Sequence, residues 1–392
     1  MKLSVYFKKF FQSSQSSGIL LIFCVAVALT IANSPLGKGF QDFLDFEMGF
    51  DKIHLKYSVS SWINDGLMAI FFLLVGLEIK RELMEGELSS FKNASLPVFA
   101  AIGGMLVPAL IFAGLNPENK YSNGWGIPMA TDIAFSLAVI ALLGKRVPAS
   151  LKIFLAALAI VDDLGAILVI AIFYTEQIHW IYLLLSFGVT AALFILNFLK
   201  IKKFIFYLIP GIFLWYFLHH SGIHATIAGV IVALSISTNT SETKISPLEK
   251  LEHSLHIPVG FFIMPLFALT NTNIEFKSGM TDVLTSGLGA GIIGGLVVGK
   301  LIGINLFSLI AIKLKISSLP QNSSWSQMTG VGLLAGIGFT MSIFIALLSF
   351  KNDVQIQNEA KFAVLIASVI AAVSGALVLR ISPAKIKEDF QD

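Results

Sequence analysis

Apolar runs close to twenty residues long recur along the whole chain, and that repetition limits the possible folds more than any single motif. They occupy residues 18–33, 60–78, 95–115, 123–143, 151–174, 180–199, 204–218, 222–236, 255–273, 288–311, 327–350 and 361–379. A helix rises about 1.5 Å per residue, so about 20 residues cross a hydrocarbon core roughly 30 Å thick. Lipid offers no partner to backbone N–H and C=O groups, and a helix satisfies its own. The expected fold is an all-α polytopic membrane protein with twelve transmembrane helices, forming one domain over residues 1–392. Composition agrees, with 13% charged residues against about 25% in a soluble domain.

Basic residues orient the chain. With the N-terminus in the cytoplasm, 19 of the 27 Lys and Arg face that side and 7, Lys361 among them, face the other. The positive-inside rule therefore puts both termini in the cytoplasm. Their dispersal through short loops leaves no basic patch for nucleic acid. Lys2, Lys8 and Lys9 precede an apolar run without a small-residue cleavage site, so the first helix is expected to be retained. Cys24 is the one cysteine, which excludes an intramolecular disulfide or a thiolate metal cluster.

Charges inside the runs carry the functional signal. Asp162 and Asp163 interrupt LKIFLAALAIVDDLGAILVIAIFY, about 17 Å from its start. Each opposes insertion by roughly 2.5–3.5 kcal/mol. Lys300 falls near the middle of GAGIIGGLVVGKLIGINLFSLIAI, too deep for its stem to reach either interface. In the run 123–143, Pro128 removes a backbone donor just before Thr131 and Asp132, which predicts a broken helix. The run 327–350, with Gly330, Gly332, Gly336 and Gly338 ahead of Thr340 and Ser342, predicts a second. Each weak helix is the middle member of three, spans three to five and ten to twelve, a pattern expected of inverted-topology repeats around a midplane site.

Six segments together carry a family resemblance: FFLLVGLEIKREL (71–83), PMATDIAFSLAV (128–139), AIVDDLGAI (159–167), HSGIHATIAGV (220–230), LEHSLH (251–256) and GIGFTMSIFIA (336–346). With them the chain resembles the NhaA-type bacterial sodium/proton antiporters, which are themselves a known case of inverted repeats with broken helices. The resemblance implies a multi-pass protein of the bacterial cytoplasmic (inner) membrane, commonly a homodimer, that exports sodium or lithium against incoming protons by alternating access. It implies no cofactor. It further implies that Asp163 is the principal cation ligand, that Asp162 beside it pairs with Lys300 when no ion is bound, and that Thr131 lies next to the ion. Asp132 is implied to face partial positive charge where the two broken helices cross. The double aspartate places the chain with electrogenic relatives. Glu78, Arg81, Glu82, Glu252, His253 and His256 match a cytoplasmic cluster tied to pH activation, and His224 matches a further histidine with a possible pH role. The outer loop 34–58 matches a dimerisation hairpin.

Sodium is a hard cation that takes oxygen ligands, and Asp162, Asp163 and Thr131 offer several. Protons and sodium would compete for the same oxygens, which suffices to couple their movement. The proton carriers stay open between Asp162 with Asp163 and Lys300 with Asp163, since the groups titrate together. Plainer roles stand beside these: a structural ion pair for Lys300, a cap for Asp132, packing for His224, a solvated loop for the cluster. An intramembrane aspartyl protease is a competing class, but its dyad shares a proton between carboxylates in contact, normally from separate helices. A passive channel fits poorly with broken helices around one central charge cluster.

Overall fold

The computed structural model describes residues 14–117, 120–175, 177–238, 246–277 and 279–382. The basic stretch with Lys2, Lys8 and Lys9, together with Lys244, Lys385 and Lys387, lies outside them. In chain order the elements are α1 (Ser14–Ala32), α2 (Gly37–Asp45), β1 (Glu47–Phe50), β2 (Leu55–Ser58), α3 (Val59–Met84), α4 (Phe91–Leu115), a 3₁₀ stretch Ser122–Met129, α5 (Ile133–Leu142), α6 (Ala149–Phe173), α7 (Trp180–Phe198), α8 (Ile205–Ser221), α9 (Ile227–Ser235), α10 (Pro247–Asn271), α11 (Gly287–Lys313), α12 (Trp325–Leu334), α13 (Phe339–Ser349) and α14 (Val354–Ile381). Among the described residues, eight helical spans are long and apolar enough to cross a membrane, or ten if each of two bent pairs is one span. The protein is thus a polytopic all-α membrane protein.

Several boundaries move from the sequence reading. The run 222–236 yields only the nine residues of α9, about 14 Å of helix, because Gly222 ends α8 in a left-handed conformation at φ 89°. Helix α10 starts eight residues before the run at 255, at Pro247. Ser246 and Glu249 form a capping box there, each side chain accepting from the other's backbone N–H. The charges of Glu252, His253 and His256 hide that start, so they stand on a helix and not in a loop. Helix α14 begins at Val354, so Lys361, counted on an outer loop by sequence, lies inside a span and is 8% exposed. The loop 34–58 contains α2 and a two-stranded hairpin.

The chain divides into two units. The first holds residues 20–86 and 167–275. Its core joins Leu73 and Leu77 of α3, Tyr207 and Leu214 of α8, Val232 of α9 and Leu251 of α10. Lys80 donates to the carbonyls of Leu234 (2.7 Å) and Ile236 (2.5 Å), closing the C-terminal end of α9 where cations are favoured. In the hairpin Met48 faces Tyr57 and Phe50 faces Leu55. The Trp62 indole N–H donates to Met48 O at 2.9 Å, and Tyr57 meets the His219 ring edge-on at 5.0 Å, so α3 and α8 both hold it.

The second unit holds residues 14–19, 87–166 and 276–382. Here α4 and α11 approach backbone to backbone. Glycine recurs every fourth residue of α11, at 287, 291, 295, 299 and 303, a small-residue stripe of the kind that joins helices in lipid. A Cβ on Gly303 would stand 2.1 Å from Gly103 O, so neither position of that crossing admits a side chain. A π turn over Gly294–Gly299 delivers Lys300 from this helix into the interior.

Candidate ion-binding site

Two interrupted helices build the floor of the site within the second unit. After Met129 the backbone runs extended through Ala130 and Asp132 before α5 begins, and α12 and α13 are separated by Ala335–Gly338 with a bend of 46°. Breaking a helix in lipid exposes terminal N–H and C=O groups that must find partners. The sequence supplies short polar side chains at these breaks. Thr131 Oγ1 donates to Ala335 O (2.8 Å) and Ser136 Oγ to Leu334 O (3.0 Å), serving the end of α12. Ser342 Oγ donates to Ile127 O at 2.7 Å, serving the 3₁₀ end.

Asp132 serves two helix starts at once. Its Oδ1 accepts from Phe135 N (2.9 Å) in α5, and its Oδ2 accepts from Thr340 N (3.1 Å) and the Thr340 hydroxyl in α13. Its own N–H donates to Ile337 O at 2.7 Å. A carboxylate between two positive helix ends is electrostatically favoured. Both its oxygens are therefore committed to protein donors. Ser368 of α14 also accepts from Phe339 N at 3.2 Å.

Asp162 and Asp163, halfway along α6, are 1% and 2% exposed. Lys300 is wholly buried, and its Nζ donates to Asp162 Oδ2 at 2.5 Å, a strong charge-assisted hydrogen bond. The other oxygen of Asp162, Oδ1, is buried and accepts no hydrogen bond among the described residues. Asp163 is near enough to act electrostatically on the Lys300 ammonium, and Thr131 near enough to act on the Asp162 carboxylate. With Asp132 neutralised by helix ends, one buried cation faces two buried carboxylates. Fully ionised, that group keeps one surplus negative charge, which a single proton or a single monovalent cation cancels. Such a surplus among buried groups is costly unless filled.

The other sequence-selected residues lie in the first unit and separate into groups. Arg81 joins Glu82 (Nη2–Oε1 3.0 Å) and Glu252 (Nε–Oε2 3.0 Å), while His256 Nε2 stands 3.6 Å from Glu78 Oε1 and 3.7 Å from Glu252 Oε1. His253 is exposed, its ring 6.4 Å from that of His256. His224 has different partners: Nδ1 is 2.7 Å from Thr226 Oγ1 and Nε2 is 3.6 Å from Asp65 Oδ1. Sequence reasoning passed over Ser136, Ser368 and Asp65. Serine at a helix break carries no signal of its own. Asp65 was legible as a charge within an apolar run.

Comparison with known proteins gives one consistent answer. Residues 8–379 match the family model described as Na+/H+ antiporter 1. The chain is 58% identical over 378 residues, 95% of its length and 92% of the relative's, to a protein of Flavobacterium johnsoniae named Na(+)/H(+) antiporter NhaA 2. It is 50% identical to a Na(+)/H(+) antiporter NhaA of Flavobacterium psychrophilum, with 97% of each chain covered. A Na(+)/H(+) antiporter NhaA of Dechloromonas aromatica is also 50% identical, with 96% of each covered.

Proposed function

The chain belongs to the Na+/H+ antiporter 1 family, and we propose that it is an electrogenic secondary transporter exporting sodium or lithium from a bacterial cell in exchange for incoming protons. It is a transporter and not an enzyme. The observation that carries the reading is the buried group of Lys300, Asp162 and Asp163, where one alkali cation excludes two protons, carried by Asp162 with Asp163 or by Lys300 with Asp163. Asp163 is the principal ion ligand. Asp162 exchanges its lysine partner for the ion during the cycle, the Thr131 hydroxyl contributes an oxygen, and the broken backbone and water supply the rest. Asp132 holds the crossing together by capping both helix starts. Sodium and protons occupy the same oxygens in turn, and the empty charged form rarely crosses, which couples the two fluxes in alternating access.

The finer architecture follows the family. Twelve spans, with spans three to five and ten to twelve as inverted repeats, sit in the cytoplasmic (inner) membrane with both termini in the cytoplasm. Two copies pair through the hairpin region 34–58. Glu78, Arg81, Glu82, Glu252, His253 and His256, with His224, set the pH dependence of exchange and so serve sodium and pH homeostasis. Support for the last point is the network of carboxylates and imidazole around Arg81.

Everted membrane vesicles with an acid interior and a pH-reporting dye test the reading. Added sodium or lithium should collapse the gradient in the parent protein and leave it intact in Asp163→Asn. Equal collapse in both would refute the proposal.

A further inference from the structure

Three metal-ligating side chains converge in the first unit: Glu78 of α3 with Glu252 and His256 of α10, each offering one ligand atom within 4.8 Å of the others. Glu252 and His256 are four residues apart and share one helix face, and Glu78 reaches them from the second helix. The distances from His256 Nε2 to Glu78 Oε1 and Glu252 Oε1, 3.6 and 3.7 Å, are too long for hydrogen bonds. They are close to the edge of a tetrahedral site, where two ligands at about 2.0–2.2 Å from a metal lie roughly 3.3–3.6 Å apart.

Glu252 is the buried member of the three. Glu252 is 4% exposed, and its Oε2 accepts no hydrogen bond among the described residues. Arg81 Nε lies 3.0 Å from that oxygen, but its N–H is directed at Oε1, 3.1 Å away. Arg81 thus pairs with Glu82 and Glu252, while Glu78 faces the His256 imidazole. An imidazole nitrogen among the ligands selects against sodium, magnesium and calcium, which take oxygen, and favours a first-row transition ion.

We infer that Glu78, Glu252 and His256 form a binding site for a divalent first-row transition metal of the zinc type, entered past the half-exposed His256 ring. Each carboxylate gives one oxygen, His256 gives Nε2, and water completes the shell. His253 stays outside the set. The site is independent of the transport reading, because metal binding is measured without ion flux.

The test is calorimetric titration of zinc chloride into the purified full chain in detergent, with any affinity tag removed. One saturable site is expected. His256→Gln and Glu78→Gln should each weaken it at least about tenfold, the least that disturbing a metal's ligand shell costs, and His253→Gln should leave it unchanged. Zinc should also raise the melting temperature of the parent protein and not that of His256→Gln, which separates lost ligation from lost folding. Absence of saturable binding in the parent protein overturns the inference. So does parental affinity in His256→Gln and Glu78→Gln, or a loss confined to His253→Gln.

Discussion

Lys300 and Asp162 are each buried on the strength of the other. Removing one partner leaves a charge in the interior with its desolvation cost uncompensated, an effect of about 3–5 kcal/mol for buried pairs, while removing both is often tolerated. Asp162→Asn and Lys300→Met should therefore each lower the melting temperature in detergent, and the double variant should melt above both singles. A double variant that melts as low as the sum of the two losses would show that the pair is not a coupled unit. The pair was open to prediction because charge is conspicuous in an apolar run. Lys361 is a contrasting case. It stands near the start of a run, where sequence places a lysine in an outer loop, yet α14 begins seven residues earlier and buries it. Local composition cannot tell a lysine at a helix entrance from one inside it.

At the level of the helix, breaks and boundaries were unequally legible. Pro128 and the glycines at 330–338 announced interruptions, and the backbone departs from helix at both places. The start of α10 was not visible, because a capping box of Ser246 and Glu249 begins a helix whose first turns are polar, and hydropathy registers only its later part. The glycine stripe of α11 was written in the sequence at an interval of four, but its meaning depends on α4 lying opposite. Gly303→Ala should overpack that crossing, since the new methyl would need the space of Gly103 O, at a cost of about 1–3 kcal/mol. A thermal melt unchanged by this substitution would show that the two backbones are not in contact. The same shift would carry Lys300, three residues earlier, away from Asp162.

For the molecule as a whole, the proposed pairing through the hairpin predicts that replacing residues 47–58 by a short flexible linker yields a monomer by light scattering in detergent while sodium-driven proton release in vesicles persists. A variant that stays dimeric would assign the interface elsewhere. Fold class and membrane residence were legible from the apolar runs alone; the division into two units was not, because each is assembled from separated stretches of chain. That interleaving has a consequence for biosynthesis. Lys300 follows Asp162 by 138 residues, which at about 5–20 residues per second is a delay of roughly 7–28 s. During that interval α6 enters the insertion machinery with two mid-helix aspartates and without Lys300. The nascent chain must hold them protonated or defer the insertion of that helix. The counter-ion of α6 is thus among the later parts of the protein to leave the ribosome, and truncated chains ending before Lys300 are the substrates that membrane quality control should recognise.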